Sequence, residues 1–380
     1  MNTSIYLDHA AATPMSESVL LAMQPFFSKQ FYNPSATYLV AREVKHALQE
    51  AHENVARVIG ARPSEIIFTS GGTEANNLAI RGVMEQFPEG EVIVGSTEHD
   101  SILRPAERFT YAPLSVDAQG VVRLSELEAM ITDRTVLISV HYANNEVGTI
   151  QPMKEVVRVA DIVRRQRRKS GNKLPLYVHT DACQAGNYLD INVARLGVDM
   201  MTLNGGKIYG PKQSGTLYVG AHVRLTPQIV GGGQEWGYRS GTENVAFAVG
   251  MATALTEAQG HRQQATRDMQ ELQKYFIEQL EARIPSVIVN GSRKHRLPNN
   301  VHITLPGQDN ERLIFALDDR GIMAAAGSAC SASSEEPSHV LRAMGVSDAD
   351  AQASLRLTMG RATTKADIHY TVQSLADILA

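Results

Sequence analysis

From about residue 40 to residue 250, apolar positions at helical spacing alternate with short apolar runs of strand length. Residues 41–59 keep a helical period and stop at Gly60, a signal for a helix C-terminal cap. Strand-length runs follow at 66–69, 91–95, 136–140, 176–179, 200–203 and 216–219, with helix-length segments such as 76–86 and 153–165 between several of them. This alternation predicts an α/β domain with a mostly parallel sheet. In such sheets ligands bind beyond the carboxyl ends of the strands. Nearly every unusual residue of the chain stands just there.

After Gly250 the pattern changes to a long polar helical stretch over 263–282, then shorter strand and helix candidates, which predicts a second, smaller α/β domain. The 380 residues are 43% hydrophobic and 20% charged, ordinary for a globular protein with a large core. A net charge of −4 argues against a dedicated nucleic-acid binder. No apolar run is long enough for a membrane span, and the first residues show no signal-peptide pattern. The two cysteines, Cys183 and Cys330, suit a reducing compartment. A cytoplasmic enzyme or binding protein is expected. The basic run 164–169 closes a helical pattern and reads as a solvated helix end.

Two strand ends carry the most telling chemistry. Residues 198–207 run from an apolar stretch through Asn204-Gly205-Gly206 to Lys207, and residues 177–184 end in Asp181-Ala182-Cys183-Gln184. A lysine amine and a carboxylate beyond neighbouring strands are the groups that pyridoxal phosphate (PLP) requires. The amine condenses with its aldehyde, and the acid pairs with its ring nitrogen. Gly71-Gly72-Thr73 opens a helix after a strand, where backbone amides make an anion site, although such a turn is by itself an ordinary cap. His99 follows another strand and is placed to stack on an aromatic cofactor and move protons, while Asn144 and Asn145 follow a fourth. The glycine-rich loop 231–242 contains Arg239 and reads as a connection, an anion site or a subunit contact. Arg356 in a strand-like stretch is either paired structurally or a clamp for a carboxylate. Cys330 stands among tiny residues, a setting that exposes a thiol, whereas Cys183 reads as packing.

These blocks, with Tyr6-Leu7-Asp8-His9-Ala10-Ala11, Asn33-Pro34-Ser35 and Arg239-Ser240-Gly241-Thr242, resemble the cysteine desulfurases of the NifS/IscS type over essentially the whole chain. That group belongs to the class V aminotransferases of PLP fold-type I. The resemblance implies a large domain, 15–255, built on a mostly parallel seven-stranded sheet flanked by helices. It also implies a small domain from 1–14 and 256–380 that carries the cysteine loop. In the site it implies that Lys207 holds PLP, Asp181 pairs with the ring nitrogen, Gln184 bonds the phenolic oxygen and His99 stacks on the ring. The phosphate would be held by Gly72, Thr73, Asn204 and Gly206, with Thr242 reaching it from the partner subunit of a homodimer. Asn145 and Arg356 would grip the carboxylate of L-cysteine. Cys330 would take its sulfur as a persulfide, release L-alanine, and deliver the sulfur to a protein acceptor such as an iron–sulfur scaffold protein. No metal is expected.

The chain departs from that family's usual pattern. Gly206 stands where a histidine precedes the lysine, and Asn204 where a serine is usual, so two phosphate contacts are altered. The Gly206 N–H is then the expected remaining donor. Leu39 replaces a histidine and Trp236 stands where arginine is frequent. The sequence ends soon after its last helix, without the tail that some relatives use to dock the scaffold protein. Selenocysteine lyase, transamination and a catalytically degenerate sulfur-transfer scaffold remain open at this level.

Overall fold

A computed structural model describes residues 4–327 and 336–380. Its strands are β1 (Ile5–Tyr6), β2 (Ile66–Thr69), β3 (Glu91–Gly95), β4 (Tyr111–Leu114), β5 (Thr135–Ser139), β6 (Tyr177–Asp181), β7 (Met200–Asn204), β8 (Gly215–Val219), β9 (Ile288–Val289), β10 (Asn300–Thr304), β11 (Ile322–Met323) and β12 (Ser354–Thr358). Seven of these form one sheet in the order β2-β8-β7-β6-β5-β3-β4. It is mixed: β3 pairs in parallel with β4 and β5, and β5–β6 and β6–β7 are parallel, while β8 runs antiparallel to both β2 and β7. The carboxyl ends of β2, β3, β5, β6 and β7 therefore share one edge.

β5 and β8 are buried along their whole length and β7 as far as Leu203, which explains their uninterrupted apolar runs. β4 escaped the sequence reading because it lies at the sheet's edge, contains Pro113 and buries only Leu114. The helix Leu39–Ile59 does end on Gly60, which takes φ 74°, a left-handed cap that costs glycine no Cβ clash. The expected helix 153–165 runs on over Met153–Ser170, and its basic end is not simply solvated. Arg167 is buried and donates to the carbonyl oxygens of Thr132, Thr135, Leu174 and Pro175 at 2.7–3.3 Å.

The long polar helix expected at 263–282 is the exposed half of a 39-residue helix, Val245–Arg283. Its first half is enclosed on many sides, so the amphipathic contrast that marks a surface helix is missing there. Val245, Met251, Leu255 and Ala258 pack into the core of the large sheet. Further along, Met269, Phe276 and Leu280 join a second core with β10, β12 and the C-terminal helix Lys365–Leu379. The N-terminal segment closes the arrangement: β1 pairs in parallel with β11, and Asp8 bridges to Thr358 at the end of β12. That detour brings residues 8–11 to the carboxyl edge of the large sheet.

Candidate active site

A cavity opens at this edge, lined by residues from five strand ends, the N-terminal segment and β12. Asp181 closes β6, and β7 runs through Asn204 into the short 3-10 turn Gly205–Lys207. Lys207 Nζ donates to the carbonyl of Ala10 at 2.8 Å and to that of Ala11. Gln184 Nε2 reaches the same Ala10 carbonyl at 3.0 Å. Both side chains thus sit beside the N-terminal segment with their polar ends at the cavity.

Asp181 is a carboxylate held by donors. Asn76 Nδ2 approaches Oδ2 at 2.7 Å and the Cys183 N–H approaches Oδ1 at 2.9 Å. Burial pushes its pKa up, but the Cys183 thiol and amide, the Asn76 amide and the nearby His99 outweigh burial, and the carboxyl lies below its usual range. Conversely, burial and the Asp181 charge push the Cys183 thiol well up. Cys183 is therefore more than packing: it is a protonated thiol on the cavity wall that supports Asp181. Two residues earlier on β6, His179 is fully buried between Ser139 Oγ (2.9 Å) and Thr202 Oγ1 (3.0 Å), and burial pushes its pKa down to about 4.

His99 caps the helix Asp100–Ala106, its Nδ1 accepting from the Ser101 N–H at 3.0 Å. With Nδ1 taken as an acceptor, Nε2 is the ring nitrogen left to donate. Beside it, His141 Nδ1 lies 2.9 Å from Glu98 Oε1 in a buried pair. Burial opposes protonation of His141, but the Glu98 carboxylate prevails and raises its pKa. Gly72 and Thr73 open the 15-residue helix Gly72–Gln86 at the cavity wall, which sets a helix N-terminus beside the space. A Cβ on Gly72 would stand 2.8 Å from Cys183 Sγ, so only glycine lets helix and strand end come this close.

The Gly206 N–H is not available as expected. It donates to Asn204 Oδ1 at 3.0 Å, and Gly206 does not line the cavity. Asn204 does, and with Oδ1 so committed its Nδ2 lies toward Gly72. Arg356 is almost fully buried on β12, where Nη2 pairs with Asp8 Oδ1 at 2.7 Å and Nη1 approaches the Asn145 carbonyl at 3.3 Å. Its Nε has no partner among the described residues. The paired reading holds for this arginine, which also lines the cavity together with Asn145. In the glycine-rich loop, Arg239 donates to Glu74 at 2.9 Å, tying that loop to the first turn of the helix Gly72–Gln86. Thr242 is exposed and outside this cavity.

Cys330 lies outside the described residues. Past it, Ser338 Oγ donates to Glu146 Oε2 at 2.6 Å and His339 Nε2 to the Glu98 carbonyl at 2.9 Å, so the chain returns to the loops after β3 and β5. Sequence reasoning missed Asp8, Asn76, Ser101 and His141 as members of the site. Asp8 stood in a quoted block and Asn76 falls one turn after Gly72, but nothing local marks either side chain as turned inward.

The class is defined by fold and family together: the chain belongs to the aminotransferase class V family, whose model matches residues 5–371. Within that class it is similar to the cysteine desulfurase IscS of Dictyoglomus turgidum, with 40% identity over all of this chain and 95% of the relative. Among solved structures it superposes on a NifS-like protein with a TM-score of 0.90 and 31% identity, covering 99% of both chains. It also matches SspA in complex with cysteine, with a TM-score of 0.81 and 34% identity over 94% of this chain and 99% of that one.

Proposed function

We propose that the protein is a PLP-dependent cysteine desulfurase that converts L-cysteine to L-alanine and passes the sulfur to a protein acceptor. One observation carries this reading: Lys207, a donor-held Asp181 carboxylate and the buried Arg356 converge on one cavity at the sheet's carboxyl edge. The residues fit PLP. An amine, an anionic partner for the ring nitrogen and a helix start at Gly72 and Thr73 surround one cavity, and the missing Cβ of Gly72 lets that helix start approach Cys183. When bound, the cofactor withdraws electrons from the bonds at the substrate's α-carbon.

In this reading Lys207 holds the cofactor, Asp181 keeps the ring nitrogen protonated, Gln184 bonds the phenolic oxygen and His99 covers the ring with its proton on Nε2. Gly72, Thr73 and the Asn204 amide hold the phosphate, while Gly206 contributes only by orienting Asn204. Thr242 serves the partner subunit's site in a homodimer. Arg356 and Asn145 bind the cysteine carboxylate, and Asp8 keeps the guanidinium oriented before substrate arrives. The Cβ–S bond of cysteine breaks as sulfur passes to the Cys330 thiolate. The β-carbon takes up a proton, giving alanine, and the enzyme keeps a persulfide. Two thiols in the chain suit the reducing cytoplasm.

Incubation of purified protein with PLP and L-cysteine should give alanine and a protein persulfide. Lys207→Ala should abolish the yellow colour, and Cys330→Ser should keep it yet yield no persulfide. Full turnover in Cys330→Ser would remove that cysteine from the mechanism. A strong preference for selenocysteine over cysteine would make the enzyme a selenocysteine lyase instead.

A further inference from the structure

We propose that Asn76 is a positioning residue whose amide, shared between Asp181 and Ser101, holds Asp181 as the anionic partner of the cofactor ring. The proposal rests on the PLP reading above and names a residue that acts through Asp181 rather than on the substrate.

Asn76 is buried one turn into the helix Gly72–Gln86. Its Nδ2 lies 2.7 Å from Asp181 Oδ2 and 2.8 Å from Ser101 Oγ. Ser101 in turn stands 2.8 Å from His99 Nδ1 through Oγ, and its backbone N–H donates to that nitrogen. One amide therefore links the acid that would pair with the ring nitrogen to the histidine that would cover the ring.

An amide has a donor end and an acceptor end, and a carboxylate only accepts. The observed orientation suits an ionised Asp181. Turning the amide over would set two oxygens 2.7 Å apart, which is tolerable only if Asp181 carries a proton. The opposite end confirms the commitment: Asn76 Oδ1 is buried with no hydrogen-bond partner among the described residues. Leaving a buried carbonyl unsatisfied is costly, so the arrangement gives up that bond to keep both donors on Asp181 and Ser101. The titratable groups facing Asp181 are Cys183 beside it, His179 below it, and His99, His141 and Lys207 from neighbouring strand ends. Of these only the Cys183 thiol is a neutral donor to the carboxylate, and Asn76 Nδ2 adds the side-chain amide donor at Oδ2.

The test uses apoprotein of the full chain, titrated with PLP and followed by absorbance from pH 5 to pH 9. Asn76→Asp replaces the donor by an acceptor of the same shape, Asn76→Ala removes it, and Ser101→Ala leaves the Asp181 bond intact. Loss of a hydrogen bond to a charged group predicts PLP binding weaker by about tenfold or more in Asn76→Ala, and weaker still in Asn76→Asp. The acid limb of the affinity profile should move to higher pH by about one unit, because an unsupported carboxylate takes up its proton earlier. NMR of ring-nitrogen-labelled PLP should show the nitrogen protonated in the wild type and losing its proton in Asn76→Asp. Ser101→Ala should leave the acid limb in place. Two results would overturn the proposal: an unchanged acid limb in Asn76→Ala, or wild-type affinity with a protonated ring nitrogen in Asn76→Asp. If Asn76→Asp does not fold, the alanine variant decides. A wild-type protein that takes up no PLP would overturn the PLP reading itself, a different outcome from wild-type uptake with silent Asn76 variants.

Discussion

Gly72→Ala tests the close contact on which the candidate phosphate site depends. The added methyl would stand 2.8 Å from Cys183 Sγ and 3.4 Å from Asn204 Nδ2. Heavy atoms of this kind need about 3.5–4.0 Å, so helix and strand end must part by roughly 1 Å or Cys183 must turn. Turning costs Cys183 its thiol bond to Asp181, so the sulfur is not a freely yielding neighbour. Overpacking of this size costs about 1–3 kcal/mol, and alanine's helix preference returns at most about 1 kcal/mol. Unfolding entropy of about 2.1 cal/mol/K per residue over 380 residues is about 0.8 kcal/mol/K, which makes a net loss of about 2 kcal/mol a fall of about 2–3 °C. Calorimetry of the apoprotein measures this, and PLP titration should show weaker binding. In a Cys183→Ala background the sulfur is absent, and the same substitution should cost less than about 0.5 kcal/mol. That coupling is the diagnostic. An equal loss in both backgrounds would refute the argument.

Other positions make separate demands. Arg167→Lys replaces a fork that serves four carbonyls by an ammonium with three donors, strands at least one of them, and should cost about 1–3 kcal/mol, seen as lower melting with turnover kept. His52 is buried 3.1 Å from Glu235. Burial lowers its pKa, but Glu235 raises it further, so the net shift is upward. A raised folded-state pKa means this stabilisation is complete below about pH 6.5 and fades as pH rises through the folded value. The gap in melting temperature between wild type and His52→Gln should therefore narrow from pH 6 to pH 9, and a constant gap would contradict the assignment. Gly206 needs no glycine: its φ is not positive, and a Cβ would meet Asn204 Oδ1 at 3.4 Å and Lys212 Cγ at 3.5 Å. Gly206→Ala should change stability by less than about 0.5 kcal/mol. Gly206→His should tighten PLP about threefold to tenfold by restoring a phosphate donor, and unchanged affinity would count against that role.

Much of this protein is determined by sequence alone, because strands buried on both faces are written as plain apolar runs. Ile66–Thr69 and Glu91–Gly95 match their expected limits, and Lys207, Asp181 and His99 are marked by standing just beyond such runs. Strand direction then sends those residues to one edge without further information. Edge strand β4, enclosed on one side only, leaves no such mark. The sequence also could not tell a solvated arginine from Arg167, whose partners lie 32 or more residues away in Thr132 and Thr135 as well as nearby in Leu174 and Pro175. Tertiary structure alone turned Asn76 toward Asp181 across 105 positions and Asp8 toward Arg356 across 348. It likewise spent the Gly206 amide on Asn204. Hydrophobic burial is a property of each residue and repeats along the chain, so it can be read locally. A hydrogen bond belongs to a pair, and its partner is chosen only when the chain has folded.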